Sequence, residues 1–386
     1  MEEFIVIGAG LAGASTAWHL SARGHQVTVL ERAEPGNPLA SSHGSARIFR
    51  YAYPDPLYTG LVVRARRGWD ELERVSGVRL LTETGSVDHG DLRDPYRLAA
   101  GLAAHGIEHD VLTAAEASAR WPGLRFDTDV LWHPGAGVLD AIGTVRAMLR
   151  VAEATGNARV LTGRPVRRME PVAGGYRVHT ADGRTLDGAH VVVTAGGWLP
   201  TLLGELSLPA AFLDRFPPFE IRQEQVFHFP YRDLPADGAP ETVWPSFIHK
   251  GSDIQTYGLP GGRDAQYRGH KVAEYKGGPV IPTADDHRKG VIEPGGRARI
   301  VDFVSRLVPG VEPEPYAEAT CLFTLTPSED FLFDRVDGIT VVSPCSGHGA
   351  KFAPLLGELA ADLATGAGDV PAEFRLAAHA AAGAGR

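Results

Sequence analysis

Cysteine is almost absent: Cys321 and Cys345 are the only two among 386 residues. Two thiols cannot build a disulfide framework, and a chain this long can bury a large core instead. Long apolar runs are missing too. None reaches the roughly twenty residues of a membrane-spanning helix, so no membrane partner is expected. Positive charge is in deficit, with 38 Lys and Arg against 47 Asp and Glu and a net charge of −9. That balance argues against nucleic acid as a partner. The fifteen histidines show no metal-ligand spacing. His105 and His109 are four apart, but no further ligand accompanies them, so they read as solvated surface residues and no metal is expected. The N-terminus lacks the basic stretch of a signal peptide. Met-Glu-Glu leads straight into a strand whose removal would destroy the unit built on it, so a cytoplasmic location is expected. Internal repeats are also absent. Hydrophobic residues at 44% and charged residues at 22% are ordinary for a globular chain whose length allows two domains or one elaborate one.

What is present starts at Phe4-Ile-Val-Ile-Gly8-Ala-Gly10-Leu-Ala-Gly13. Four apolar residues read as a buried strand, and Ala14 to Ser21 as a helix. Gly8 allows the tight turn, Gly10 lets the backbone approach a pyrophosphate, and Gly13 lets helix and strand pack closely. The helix N-terminus favours phosphate. A second strand, Gln26 to Leu30, ends in Glu31, whose carboxylate suits a ribose. A lone glycine fingerprint is weak. Here strand, glycines, helix, second strand and acid come in order, which predicts a dinucleotide site. The acid fits FAD or NAD(H) and would repel the 2′-phosphate of NADP(H).

Further along, Ser41-Ser42-His43-Gly-Ser-Ala-Arg47-Ile-Phe-Arg50 carries two arginines three apart. On a helix or turn that spacing puts both guanidiniums on one side, where they would hold a carboxylate; a solvated basic patch is the other reading. Residues 57–75 have a helical period. Residues 86–139 read as an insertion with short helices at 99–104 and 114–119, broken at Trp121-Pro-Gly. Residues 140–155 return to a helical pattern. Strands follow at 158–161, 166–169, 175–179 and 185–186, and a separate buried strand starts at His190 and runs into Gly196-Gly197. Residues 216–300 read as the larger part of a sheet covering the cofactor. Val301 to Leu307 reads as a helix and Ile339 to Val342 as a strand. The Gly-rich turn Ser346-Gly347-His348-Gly349-Ala-Lys351 faces a helix that begins at Pro354. The tail after Leu376 reads as frayed.

These motifs, with Trp121-Pro-Gly, Thr194-Ala-Gly-Gly-Trp198 and Cys321-Leu-Phe-Thr, give the chain a family likeness over nearly its whole length. It resembles the amine oxidases of the monomeric sarcosine oxidase and N-methyltryptophan oxidase type, within the D-amino-acid-oxidase-like flavoproteins. The resemblance implies FAD, bonded covalently through Cys321. It implies that Arg50 and Lys351 bind a substrate carboxylate and that Arg47 sets the charge near the flavin ring. Lys271 is implied as the lysine that promotes reaction with oxygen, with Lys276 the other candidate for that place. Gly347, His348 and Gly349 would contact the ring, and Ser41, Ser42, His43 and Val166 are counted with the cofactor contacts. His43 and His348 would line or support the pocket without acting as bases. Cys345 has no such context and reads as buried structure.

Two positions depart from the pattern. Phe323 stands where relatives often have tyrosine, and Tyr275 where they often have histidine. Both lie on the substrate side, so they bear on sarcosine as substrate and leave the flavin chemistry standing. Tyr275, with Trp244 or Tyr257, would shape a pocket for a larger or cyclic amine.

The expected fold is α/β: a Rossmann-like FAD-binding domain from residues 1–85, 140–215 and 319–386, and a β-rich substrate domain from 86–139 and 216–318. The expected function is oxidation of a secondary amine in an amino or imino acid. A hydride equivalent passes to flavin N5, an imine is released, and molecular oxygen becomes hydrogen peroxide. A monomer is expected. A flavin dehydrogenase with another acceptor, or a flavin-binding partner without turnover, is the alternative.

Overall fold

The first strand, Glu2–Ile7, is buried on both faces from Phe4 onward because it lies inside a sheet. A computed structural model describes residues 2–233 and 244–383. Positions 234–243 of the expected β-like stretch, and the last three of the tail, lie outside the described residues.

In the first sheet Glu2–Ile7 pairs in parallel with Val27–Leu30 on one side and Thr185–Val193 on the other. Ala158–Leu161 extends it beyond Val27–Leu30, and Ile339–Ser343 joins Thr185–Val193, again in parallel. The register sets Ile7 beside Leu30 and Val193, Leu30 beside Leu161, and Val193 beside Val341. The carboxyl ends of five parallel strands therefore share one edge, where open α/β sheets take their ligands. Helices Leu11–Ala22, Ala141–Ala154 and Ala353–Thr365 contribute their buried faces to the core on this sheet. The first and last meet closely: a Cβ on Gly357 would lie 2.1 Å from Ser15 Oγ.

A second sheet of eight strands is mostly antiparallel. It runs in the order Ala317–Leu325, Glu220–Pro230, Gly269–Glu274, Gln255–Pro260, Ser246–Lys250, Ser86–His89, Val130–His133 and Asp110–Leu112. A third, small sheet joins Arg47–Phe49, Gly137–Leu139 and Leu81–Glu83.

Several expectations change. The boundary expected at 319 cuts through the strand Ala317–Leu325, which pairs along its whole length with Glu220–Pro230. The chain rejoins the first sheet only at Leu332–Val336, so a division of the sheets falls after Leu325. The strands expected at 185–186 and from His190 are one strand, Thr185–Val193, because Gly188 continues the extended backbone instead of breaking it. The tail is a helix, Leu376–Gly383, anchored by buried Leu376 and by His379 Nε2 at 3.0 Å from Phe331 O. The helix expected from Val301 begins at Pro294, where Glu293 accepts from the Gly295 and Gly296 N–H groups.

Candidate active site

The glycines do what their spacing requires. Gly8 has φ +102°, and a Cβ there would lie 2.7 Å from Thr194 O. A Cβ on Gly13 would lie 1.9 Å from Gly8 O, so only glycine lets this helix sit on this turn. The helix opens at Gly10 without a side-chain cap, and Leu11 N–H donates to Ser42 Oγ at 3.1 Å. Glu31 follows its strand, buried, and accepts from Ala9 N–H at 2.8 Å and Ala33 N–H at 3.0 Å. A cavity of about 930 Å³ starts here. Gly8, Gly10, Glu31, Ser41, Ser42 and Val166 line this part of it. Gly13 acts from behind the turn, and neither it nor His43 is among the lining residues.

The cavity continues between the two sheets. Arg47 donates to three backbone carbonyls, of Ala46 at 2.9 Å, Ser41 at 3.0 Å and His43 at 2.7 Å. Its segment is a strand, Arg47–Phe49, not a helix or turn; Arg50 follows just past its end, and both arginines line the cavity. Lys271 lies in mid-strand, 6% exposed, and donates to Ala46 O at 3.2 Å. Burial, then the Arg47 charge, push its ammonium down to about 8. Cys321 lines the same cavity; burial pushes its thiol up while Arg47 and Lys271 pull it down. Lys276, by contrast, is partly exposed and tied to Glu329, outside the lining residues. Cys345, expected as buried structure, is part of the cavity wall. Burial, then Arg47 and Lys271, push His43 down to about 3, so it is neutral.

Beyond them the Gly347–Lys351 turn closes the wall. Lys351 Nζ donates to Tyr53 Oη at 3.0 Å and to His348 O at 2.8 Å. Tyr53 Oη and His348 Nδ1 are 3.1 Å apart, and His348 Nε2 lies 3.1 Å from Glu329 O. Burial and the Lys351 charge push His348 down to about 3. Lys351 is itself driven well below its ordinary value by burial and by Arg50.

Arg50 is the charged group of the wall with a buried atom left unsatisfied. Its guanidinium stands 4.5 Å over the Tyr53 ring, and its buried Nη1 makes no hydrogen bond. Behind it Asp88, fully buried, lies 3.9 Å from that nitrogen and is gripped by Arg93, whose Nε donates at 3.0 Å. Tyr257, Tyr275 and Phe323 also line the cavity, and Tyr275 Oη donates to Glu329 at 2.5 Å. Trp244 does not line it. It packs in the second core, 4.8 Å from the Tyr231 ring.

Sequence reasoning missed Asp88 with Arg93, Tyr53, Glu329 and Lys250. Lys250 had a findable signal. It is two residues after Ile248, which the register sets opposite Tyr257, so period-two alternation puts both on one face. Among the described residues no group of three or more His, Cys, Asp or Glu could hold a metal ion, and no helix is long and apolar enough to cross a membrane.

A dinucleotide fits this cavity. The uncapped helix N-terminus, glycines that leave no room for a Cβ, and the terminal carboxylate lie in order along it. The sequence pattern of the FAD dependent oxidoreductases matches residues 3–363. The monomeric sarcosine oxidase of Streptomyces avermitilis is 34% identical, over 94% of this chain and 93% of that protein. The chain belongs to this family. An N-methyl-L-tryptophan oxidase of Citrobacter koseri is 28% identical, over 94% of this chain and 95% of its own length. The solved structure of NikD, described as an unusual amino acid oxidase essential for nikkomycin biosynthesis, shares the fold. It has a TM-score of 0.82 at 24% identity, covering 97% of this chain and 96% of that one. The protein is an FAD-dependent oxidoreductase that acts on CH–NH donors, with a Rossmann-like cofactor sheet.

Proposed function

We propose that this family member oxidises the secondary amine of an amino or imino acid, with FAD attached through Cys321 and molecular oxygen as acceptor, giving hydrogen peroxide. It is read as a cytoplasmic monomer. The observation that carries the substrate class is the Arg50 guanidinium: buried, without a hydrogen bond on Nη1, in the same cavity as Lys351. A planar fork beside a point charge suits a carboxylate. Bound FAD supplies the acceptor for a hydride equivalent from the carbon next to nitrogen. Arg50 and Lys351 hold the carboxylate so that this carbon is presented in one orientation, which removes much of the entropic barrier. Their charges also disfavour the protonated amine, the form that cannot react. Asp88, held by Arg93, stands behind Arg50 and limits where its guanidinium can go. Lys271 puts positive charge where negative charge develops on oxygen.

The test uses the FAD-loaded protein with N-methyl and cyclic amino acids. Under nitrogen these should bleach the flavin absorbance, and air should restore it with release of peroxide. Cutting one partner from a desolvated carboxylate pair costs on the order of 2–5 kcal/mol. Amides of the same acids should accordingly show kcat/KM lower by about 30-fold or more, and Arg50→Lys, which loses the fork, should raise KM for the acids. Amides oxidised as well as acids would refute the carboxylate reading.

A further inference from the structure

Besides Arg50 and Lys351, the cavity wall carries Lys250. Arg50 and Lys351 share one aromatic residue, standing 4.5 Å and 5.5 Å from the centre of the Tyr53 ring. Lys250 sits on another. It ends the strand Ser246–Lys250, and its Nζ is 4.4 Å from the centre of the Tyr275 ring. Nζ also donates to Gln255 Oε1 at 2.7 Å, which leaves two of its three protons without a protein acceptor. Burial, then the Arg50 and Arg93 charges, push it down to about 8, so its positive charge stands at a disadvantage.

The anions nearby are already engaged. Asp88 is taken by Arg93, and Glu329 accepts from Tyr275 Oη and is paired with Lys276. Tyr275 is thereby held from its hydroxyl end, which keeps its ring beneath Lys250. A lysine in this position would gain from an anion that arrives from outside. The cleft offers one direction for it, because Lys250 and Ile248 face the same lined space as Arg50.

We propose that Lys250 is a second anion subsite, which takes a distal carboxylate of the substrate. The preferred substrates are then N-substituted amino acids carrying two carboxylates, one on Arg50 and Lys351 and the other on Lys250. This inference rests on the amine-oxidase reading above. The competing role for Lys250 is a brace for the Tyr275 ring, and a brace does not distinguish a carboxylate from its amide.

The experiment compares N-methyl-L-glutamate with N-methyl-L-glutamine, and N-methyl-L-aspartate with N-methyl-L-asparagine, on the FAD-loaded protein. Each pair has one shape and differs in one charge. Wild type should favour the acid at least tenfold in kcat/KM in one pair. Lys250→Met should bring that ratio at least tenfold closer to one, and Lys250→Arg should keep most of it. Flavin absorbance titrated with glutarate and with its monoamide gives a second measure free of turnover. Glutarate should bind at least tenfold tighter in wild type and lose that margin in Lys250→Met. A wild-type ratio near one, or equal losses on acid and amide in Lys250→Met, overturns the subsite. If no amino acid is oxidised at all the oxidase reading fails, and the glutarate titration still decides the subsite by itself.

Discussion

Lys271 and Lys276 are five residues apart, and the sequence alone left either as the cation beside the cofactor. Position and burial separate them: Lys271 reaches Ala46 O from mid-strand in the cavity wall, while Lys276, past the end of that strand, is partly exposed, paired with Glu329 and not among the lining residues. Lys271→Met should slow reoxidation of the reduced protein by air at least tenfold more than it slows reduction by substrate under nitrogen. Stopped-flow absorbance of the two half-reactions measures this, and equal losses would return the role to Lys276 or to structure. Glu224 makes a different kind of prediction. It is 2% exposed, opposite Cys321 in the register, and burial outweighs Arg222 to raise it from an ordinary 4.5 to about 7. The folded state therefore holds a proton that the unfolded chain has lost, and stability falls as pH rises from about 4.5 through 7. At about 1.4 kcal/mol per unit the loss is on the order of 3 kcal/mol. Glu224→Gln should raise Tm at pH 8 and flatten its pH dependence below 7; an unchanged slope would show that Arg222 keeps the group charged throughout. Of the residues that the sequence did not show, Asp88 pairs with Arg93 five residues on and approaches Arg50 from another strand, and Glu329 pairs with the distant Lys276. Their charges look like any solvated surface until the sheets bring them together.

At the scale of elements, legibility followed periodicity. Ala158–Leu161, with its exact neighbour in register, and the helices Pro56–Ser76 and Ala141–Ala154 were readable because their apolar spacing is regular. The first turns of Pro294–Leu307 were not, because Pro-Gly-Gly reads as a break. Here Pro294 occupies the first helical turn and the Glu293 carboxylate caps the two glycines. The boundary expected at 319 follows Cys321, which belongs to the cofactor by chemistry, whereas the pairing of Ala317–Leu325 with Glu220–Pro230 is decided by backbone register. The glycine turn is the element most sensitive to a single methyl group. Gly13→Ala would put a carbon 1.9 Å from Gly8 O and 2.6 Å from Thr194 Oγ1, and neither is a flexible side-chain end that can move aside cheaply. Overpacking of this kind costs about 1–3 kcal/mol or more. Purified Gly13→Ala should carry less FAD per chain than wild type and melt at lower temperature; full flavin content by absorbance would mean that helix and strand can part without harm to the site.

At the scale of the molecule, segment 39–47 fastens the two large sheets around the cavity. Ser41 Oγ donates to Leu322 O at 2.8 Å, Lys271 reaches Ala46 O, and His287 Nδ1 lies 3.2 Å from Leu39 O. FAD in that cavity would touch both sheets, and a ligand that binds only the folded state stabilises it by about 2.7 kcal/mol at a hundredfold excess over Kd. With the proposed linkage, acid precipitation should leave wild type yellow and release the colour from Cys321→Ala. Stripped Cys321→Ala should then melt several degrees lower than the same variant refilled with FAD. Colour lost from wild type in acid would exclude the linkage, and identical melting would exclude the bridging role.

The chain of contacts that ends at Glu329 O has a direction. A carbonyl can only accept, so His348 Nε2 must carry the hydrogen, and a neutral ring then leaves Nδ1 with its lone pair facing Tyr53 Oη. The Tyr53 hydroxyl hydrogen is committed to that lone pair, which turns its oxygen toward the Lys351 ammonium. The imidazole in the cavity wall is therefore a polarised link, locked in one tautomer. It passes the pull of the lysine charge to the backbone at Glu329 and has no vacancy for a substrate proton.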